Sequence, residues 1–270
     1  ILVSKNFGDR ILAKITQLEQ RLESCLVQLK ENFGLRAVKV EFEAEGASFR
    51  DLARLRRLTA RHNILLYLKI SGVEALRDIK DAFELGVDGL VAPMVESPFG
   101  VVKFSEAVES VFGGRKLFKS INIETREAVE RIDEILEVAR GKVDNVTIGR
   151  TDLCRSYFDS VVQPESTFIL DLIERLSYKI QSAGLILTVG GSMTSQSIRS
   201  IAERKERFGS RLSSIETRKI VFPADLMLEH KSIIKESLRF EEIYLRFKLE
   251  CEAWLSRVGQ ERVAKLKTRI

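Results

Sequence analysis

Apolar positions along this chain switch repeatedly between helical spacing and strict alternation. Ile11, Ile15, Leu18, Leu22, Leu26 and Leu29 recur every three or four residues, which predicts an amphipathic helix over Gly8–Asn32. Ala37–Glu45 then alternates. Val38, Val40, Phe42 and Ala44 form one face and Lys39, Glu41, Glu43 and Glu45 the other. That is a strand with its apolar side toward helices and its charged side toward a barrel axis. The same two periods continue with helices over Phe49–His62, Val73–Glu84, Phe99–Phe112, Glu124–Arg140, Phe168–Ser182 and Thr194–Arg204. Between them run strands over Ile64–Ile70, Gly89–Pro93, Lys116–Asn122, Asn145–Gly149, Leu185–Val189 and Lys219–Phe222.

Strand–helix units in this order predict an α/β fold, a TIM (β/α)8-type barrel. Its expected limits are residues 37–225, after an N-terminal helical segment (1–36) and before a C-terminal helical extension (226–270). Seven strands are clear. Closure needs an eighth, and Ile1–Ser4 is the candidate. The C-terminal segment is rich in Lys, Arg and Glu. It carries an apolar face of Leu238, Phe240, Ile243, Phe247, Trp254 and Leu255, a candidate surface for oligomerisation.

The 270 residues and 44% hydrophobic content suffice for one sizeable core. Net charge is +5, from 44 basic and 39 acidic residues mixed along the chain, so no basic stripe points to nucleic acid. Cys25, Cys154 and Cys251 are far apart and lack metal-ligand spacing, which predicts a reducing, cytoplasmic setting. No apolar run is long enough for a membrane span, and no signal-peptide pattern is seen. The chain starts at Ile1 rather than Met, so some preceding sequence is expected.

Chemistry gathers where strands end. Val87–Ser97, Ile121–Ile135 and Val143–Leu153 each read as a short apolar strand running into polar or acidic residues. Two of them place a carboxylate, Glu124 and Asp152, just past the carboxyl end. Hard divalent cations take carboxylate oxygens and keep open positions for water or substrate. The competing reading makes both acids helix-N-terminal groups that favour the dipole. Glu96 follows Pro93-Met94-Val95 and is a possible third metal ligand or a cap for the next helix. Gly190-Gly191-Ser192, between a strand and a helix, is either a backbone site for a carboxylate or phosphate or a simple turn.

GVDGLVAPMVES, INIETREAVERIDEIL and VTIGRTDLCRS resemble segments of the HpcH/HpaI aldolase and citrate lyase family, within the pyruvate/phosphoenolpyruvate-binding barrel superfamily. The resemblance runs from about Ala37 to about Asp225. It implies Mg2+ or Mn2+ on Glu124 and Asp152, an anionic 2-oxo acid substrate and a homo-oligomer. It also implies that Asn122 supports the metal ligand or substrate. Lys69 stands where the family usually carries an arginine for the substrate carboxylate, keeping the charge but losing the fork. Lys69 could instead form an interior ion pair with Glu41 or Glu43, or act as a Schiff-base lysine. The family's histidine base is missing. Glu43 and Glu45 occupy that strand end, with Glu45 the candidate base. Arg150, beside Asp152, is similar in place to an arginine that binds the anionic substrate in pyruvate kinase relatives. Its alternative is an ion pair with a neighbouring Glu. The expected activity is a metal-dependent carbon–carbon lyase or aldolase. The alternatives are a phosphoenolpyruvate-using transferase or mutase, and a catalytically altered, non-enzymatic barrel.

Overall fold

The computed structural model describes residues 2–230 and 232–269, with side chains described from Arg10 onward. Its elements are α1 (Leu2–Phe33), β1 (Ala37–Glu41), α2 (Phe49–Arg61), β2 (Leu65–Lys69), α3 (Leu76–Leu85), β3 (Gly89–Ala92), α4 (Pro98–Phe112) and β4 (Phe118–Ile123). Next come α5 (Arg126–Glu130), α6 (Ile132–Ala139), β5 (Asn145–Gly149), α7 (Arg150–Ser156), α8 (Thr167–Ser182), β6 (Ile186–Gly190) and α9 (Ser195–Ala202). The chain ends with α10 (Lys205–Phe208), β7 (Leu212–Glu216), β8 (Ile220–Pro223), α11 (Ala224–Glu229) and α12 (Ser232–Lys267). The strands close into a barrel in the order β1 to β8.

The two faces of each strand have different chemistry. Outward residues such as Val38, Val40, Leu66, Leu68, Ile121, Ile123, Val146 and Ile148 join one continuous apolar core with the surrounding helices. Inward residues are largely polar: Lys39, Glu41, Lys69, Ser120, Asn122, Asn145, Thr147, Thr188, Ser214 and Glu216 are all buried. The Asn145 amide lies 2.8 Å from the Ser120 hydroxyl and 3.0 Å from those of Thr147 and Thr188, a belt that satisfies the lumen's middle layer. Below it, Tyr67 stacks on Phe118 at 4.9 Å and plugs the lower end.

Closure departs from the expected plan. Leu2–Ser4 belong to α1, and Ile1 lies outside the described residues. The missing strand is β7, whose lumen side is Ser214 and Glu216. Adjacent Ser213 and Ser214 break the alternation there, so no period-2 pattern marks the strand. β8 pairs antiparallel with both β7 and β1, so the last unit is a hairpin rather than a strand–helix–strand crossover. β1 also stops earlier than its alternation suggests. Its ladder ends at Glu41, and Glu43 and Glu45 fall in the following loop.

α12 packs along α1 of the same chain, with Phe240, Ile243, Tyr244 and Phe247 buried. Phe240, Ile243 and Phe247 therefore find cover within the chain, whereas Leu238 and Leu255 stay half-exposed, at 52% and 51%. Lys248 of α12 lies 3.3 Å from Asp51, which completes a capping box with Ser48 at the start of α2.

Candidate active site

Parallel strands β1 to β7 deliver their carboxyl ends to one rim, the site-bearing end of such barrels. Glu124 follows β4 directly, and Thr125 behind it caps α5, its hydroxyl accepting from the Ala128 N–H at 3.2 Å. The Glu124 carboxylate is buried. One oxygen accepts from the Met94 N–H at 3.1 Å and the other from the Asn122 amide at 3.0 Å. Met94 holds a left-handed φ of 50° as it turns that N–H toward the acid. Gly149 ends the neighbouring strand, and a Cβ there would strike the Glu124 carboxylate. Burial raises the Glu124 carboxyl above the usual carboxylate range, against the opposing pull of Lys69 and its two hydrogen bonds.

The Lys69 ammonium stands 2.8 Å from Glu43 and 3.6 Å from Glu124. Burial alone would lower its pKa. Glu124, Glu43 and Glu41 outweigh that and raise it, so the amine is held charged. Of the two interior ion pairs expected, the one with Glu43 forms. Two further lysines complete a ring of paired charge. Lys39 lies 2.5 Å from Glu216 and 3.2 Å from Glu41. Lys219, in the β7–β8 hairpin, pairs with Glu45 and sits 4.4 Å over the Tyr244 ring. This corrects the reading of Glu45 as the base: it pairs with a buried lysine as Glu43 does, but only 12% of its side chain is exposed. Glu43, with 28% of its side chain exposed, is the loop carboxylate open to the rim.

Asp152 lies in the first turn of α7, 38% exposed, with Arg155 3.9 Å away. β4 and β5 are adjacent parallel strands, so Glu124, directly after β4, and Asp152, three residues after β5, fall on neighbouring parts of the rim. Among the described residues no group of three or more His, Cys, Asp or Glu stands ready to hold an ion. Glu96, the possible third ligand, is exposed at the rim after β3. The residues present nonetheless suit a hard cation of the Mg2+ type, which needs few protein ligands. Glu124 and Asp152 offer carboxylate oxygens, and the Asn122 carbonyl oxygen beside Glu124 is buried without a hydrogen-bond partner.

Arg150 is a second correction. Its side chain has 0% exposure and is buried between the loops that follow β5 and β6. The guanidinium donates to the carbonyls of Gly190 at 3.2 Å, Gly191 at 2.7 Å and Pro164 at 3.3 Å. Burial lowers its pKa, and Glu165 at 3.8 Å is the ion-pair partner foreseen as the alternative. It therefore clamps two loops and is not free to meet a substrate. The same bonds take the Gly190 and Gly191 carbonyls. Gly191, at φ 87°, lies so near α7 that a Cβ would come within 2.6 Å of the Thr151 nitrogen. Ser192 follows and bonds Thr151 through its hydroxyl at 2.8 Å.

Glu216 and Lys219 were not anticipated. Gly190 was their one sequence signal: it ends β6 because a Cβ would meet the Glu216 side chain at 2.7 Å, as Gly149 does for Glu124. A cleft of about 620 Å3 between the loops after β5 and β6 was equally unforeseen. Thr151, Gln163, Ser192 and Gln196 are among its walls.

Comparison with known proteins agrees with this fold. The sequence model of the HpcH/HpaI aldolase/citrate lyase family matches residues 57–189. No curated protein matches the chain. Among solved structures, an HpcH/HpaI aldolase from Desulfitobacterium hafniense DCB-2 aligns with TM-score 0.58 and 18% identity, over 71% of this chain and 80% of that one. An HpcH/HpaI aldolase/citrate lyase family protein from Burkholderia cenocepacia J2315 aligns with TM-score 0.57 and 15% identity, over 92% and 90%. A variant of the citrate synthase SbnG aligns with TM-score 0.55 and 17% identity, over 75% and 81%. At such identities these structures share the fold. Residues 57–189, which carry β2 through nearly all of β6 together with Lys69, Glu124 and Asp152, belong to the HpcH/HpaI aldolase/citrate lyase family.

Proposed function

We propose that the chain is a divalent-metal-dependent carbon–carbon lyase or aldolase acting on a 2-oxo acid. The observation that carries this is the grouping at one rim of Glu124, the charged Lys69 and the half-exposed Asp152, within the segment matched to an aldolase and lyase family. Glu124 and Asp152 would hold the cation, with the Asn122 carbonyl oxygen beside them. A cation there supplies Lewis acidity toward the enolate charge.

The chain's own groups do the rest. Lys69 offers a fixed positive charge to the oxo acid's carboxylate or to the developing enolate oxygen. Glu43, in contact with Lys69 and open to the rim, is the proton acceptor in our reading. In cleavage it removes the proton of the C4 hydroxyl. The C4–O pair becomes a carbonyl, the C3–C4 bond breaks, and its electrons pass into the enolate of the oxo acid. Protonation at C3 then yields the free 2-oxo acid. The buried ion pairs of Lys39 and Lys219 hold Glu216 and Glu45 in place.

Incubating the protein with Mg2+ or Mn2+ and pyruvate in D2O tests the reading. Exchange of the methyl protons, seen by NMR and abolished by a chelator, is expected. No exchange with pyruvate or 2-oxobutyrate under either metal would overturn it.

A further inference from the structure

We infer that Lys219 is a positioning residue for the reaction: by holding Glu45 it fixes the loop after β1, residues 42–48, and so keeps Glu43 against Lys69 at the barrel mouth. This inference rests on the aldolase reading above, in which Glu43 is the proton acceptor, and adds the device that aims it. Glu43 and Glu45 stand two residues apart on one short loop, and each reaches a different lysine. The loop's own backbone bonds are long. The Gly46 N–H donates to the Glu43 carbonyl and the Ala47 N–H to that of Glu41, both at 3.3 Å.

The lysine has a rigid seat. The hairpin between β7 and β8 closes through the Thr217 N–H, which donates to the Ile220 carbonyl at 2.9 Å, and the Lys219 carbonyl accepts from the Lys39 N–H of β1 at 2.8 Å. The Lys219 side chain is 1% exposed; its ammonium pairs with Glu45 and lies 4.4 Å from the centre of the Tyr244 ring. Tyr244 is itself buried on α12, the helix whose Lys248 also meets Asp51 beyond the loop's far end. The loop is therefore held at three points. The Phe42 N–H donates to the Lys69 carbonyl at 2.9 Å, Glu45 pairs with Lys219, and Ser48 joins Asp51 in the capping box of α2. The outer two are the ends of regular elements. The middle one depends on a single pair of side chains.

Stability does not account for that pair. Taking an ammonium and a carboxylate out of water costs about what their attraction returns, and apolar side chains of similar size would fill the space as well. What the pair supplies is one geometry for the loop. Glu45 cannot swing outward without leaving a buried ammonium unpaired, so the backbone from 43 to 45 has one resting place. A proton acceptor must sit within hydrogen-bond reach of its proton, and misplacement by about 1 Å can cost roughly a hundredfold in rate. Lys69 alone does not hold Glu43 there, because it also faces Glu124 at 3.6 Å and keeps that partner when the loop moves.

The test is exchange of the pyruvate methyl protons in D2O with Mg2+, measured as kcat and KM on the full chain, with circular dichroism as the check on folding. Glu45→Ala, and the double variant Glu45→Ala with Lys219→Met that removes both charges together, should each lower kcat at least about tenfold. The KM for pyruvate and the Kd for Mg2+ should stay within about twofold. Glu45→Gln keeps an oxygen for the ammonium and should return kcat to within about threefold of wild type. A double variant with wild-type kcat overturns the inference, since the loop is then aimed without the pair. Metal affinity falling in step with kcat overturns it too, as the mark of a merely structural role. So does Glu45→Gln as slow as Glu45→Ala, because the carboxylate itself would then be the group required. Wild-type exchange keeps the two claims apart: exchange undiminished in the double variant refutes only the positioning role, while absent wild-type exchange refutes the aldolase reading and this inference with it.

Discussion

The Lys69 ammonium and the Glu124 carboxylate lie 3.6 Å apart in the barrel mouth, with Glu43 closing the other side of the lysine at 2.8 Å. Removing the lysine leaves buried acid without its counter-charge. Lys69→Ala should therefore cost roughly 3 kcal/mol of stability. It should also raise the KM for a 2-oxo acid by more than it raises the metal Kd, whereas Lys69→Arg should recover most of both. Because three carboxylates hold the amine charged, borohydride added with pyruvate should trap no adduct. A mass increase at Lys69 would move the protein to Schiff-base chemistry.

Glu124→Gln and Asp152→Asn should each abolish Mg2+ and Mn2+ binding in calorimetric titration, because a site with two carboxylates cannot lose one and keep a hard cation. Folding should differ between them. Asp152 is part-exposed and its exchange should be nearly neutral, within about 0.5 kcal/mol. Full metal affinity in both variants would remove these acids from the site.

Asp51 links α2 to α12 and makes the fold acid-sensitive away from the rim. Burial raises its pKa, but hydrogen bonds from the Ser48 backbone and hydroxyl, together with Lys248, outweigh this and hold it below the usual range. A folded pKa below the unfolded one gives stability that is full above about pH 3.9 and is lost as pH falls through the folded value. Asp51→Asn should lower urea stability by about 1 kcal/mol at pH 7 and flatten the decline below pH 4. A variant with the same acid decline as wild type would contradict this.

Deleting 232–270 uncovers the faces that Phe240, Ile243, Tyr244 and Phe247 bury against α1 and the barrel, worth roughly 5–10 kcal/mol before entropy. The truncated protein should aggregate. Deleting only 252–270 should leave a soluble barrel, since the last buried residue of α12 is Cys251. Light scattering distinguishes these outcomes, and on the intact chain it tests the homo-oligomer that family resemblance implies.

What the sequence disclosed follows from local physics. Val38 and Val40 against Lys39 and Glu41 announce a strand with a charged lumen side, and the structure has that arrangement. Glu124 and Asp152 are visible because each directly follows a short apolar strand. β7 is hidden because adjacent Ser213 and Ser214 break its alternation. The roles of Glu43 and Glu45 separate only through a loop that aims one at Lys69 and the other at Lys219, 174 positions away from Glu45. Arg150 adjoins a metal acid in sequence, yet its direction is set by carbonyls 40 and 41 positions onward. Contacts of that range leave no periodic trace.

Because β8 runs opposite to the other strands, β7 hands over to it through Thr217, Arg218 and Lys219 alone. The rim there has no loop long enough to lengthen, shorten or exchange, and its lysine is committed to Glu45. Changes in loop length at the rim therefore fall to the segments that follow the parallel strands, such as 42–48 after β1 and 157–163 after α7. A library of insertions belongs there, on 157–163 first because 42–48 carries Glu43; one spread evenly around the rim would spend its members on the seam.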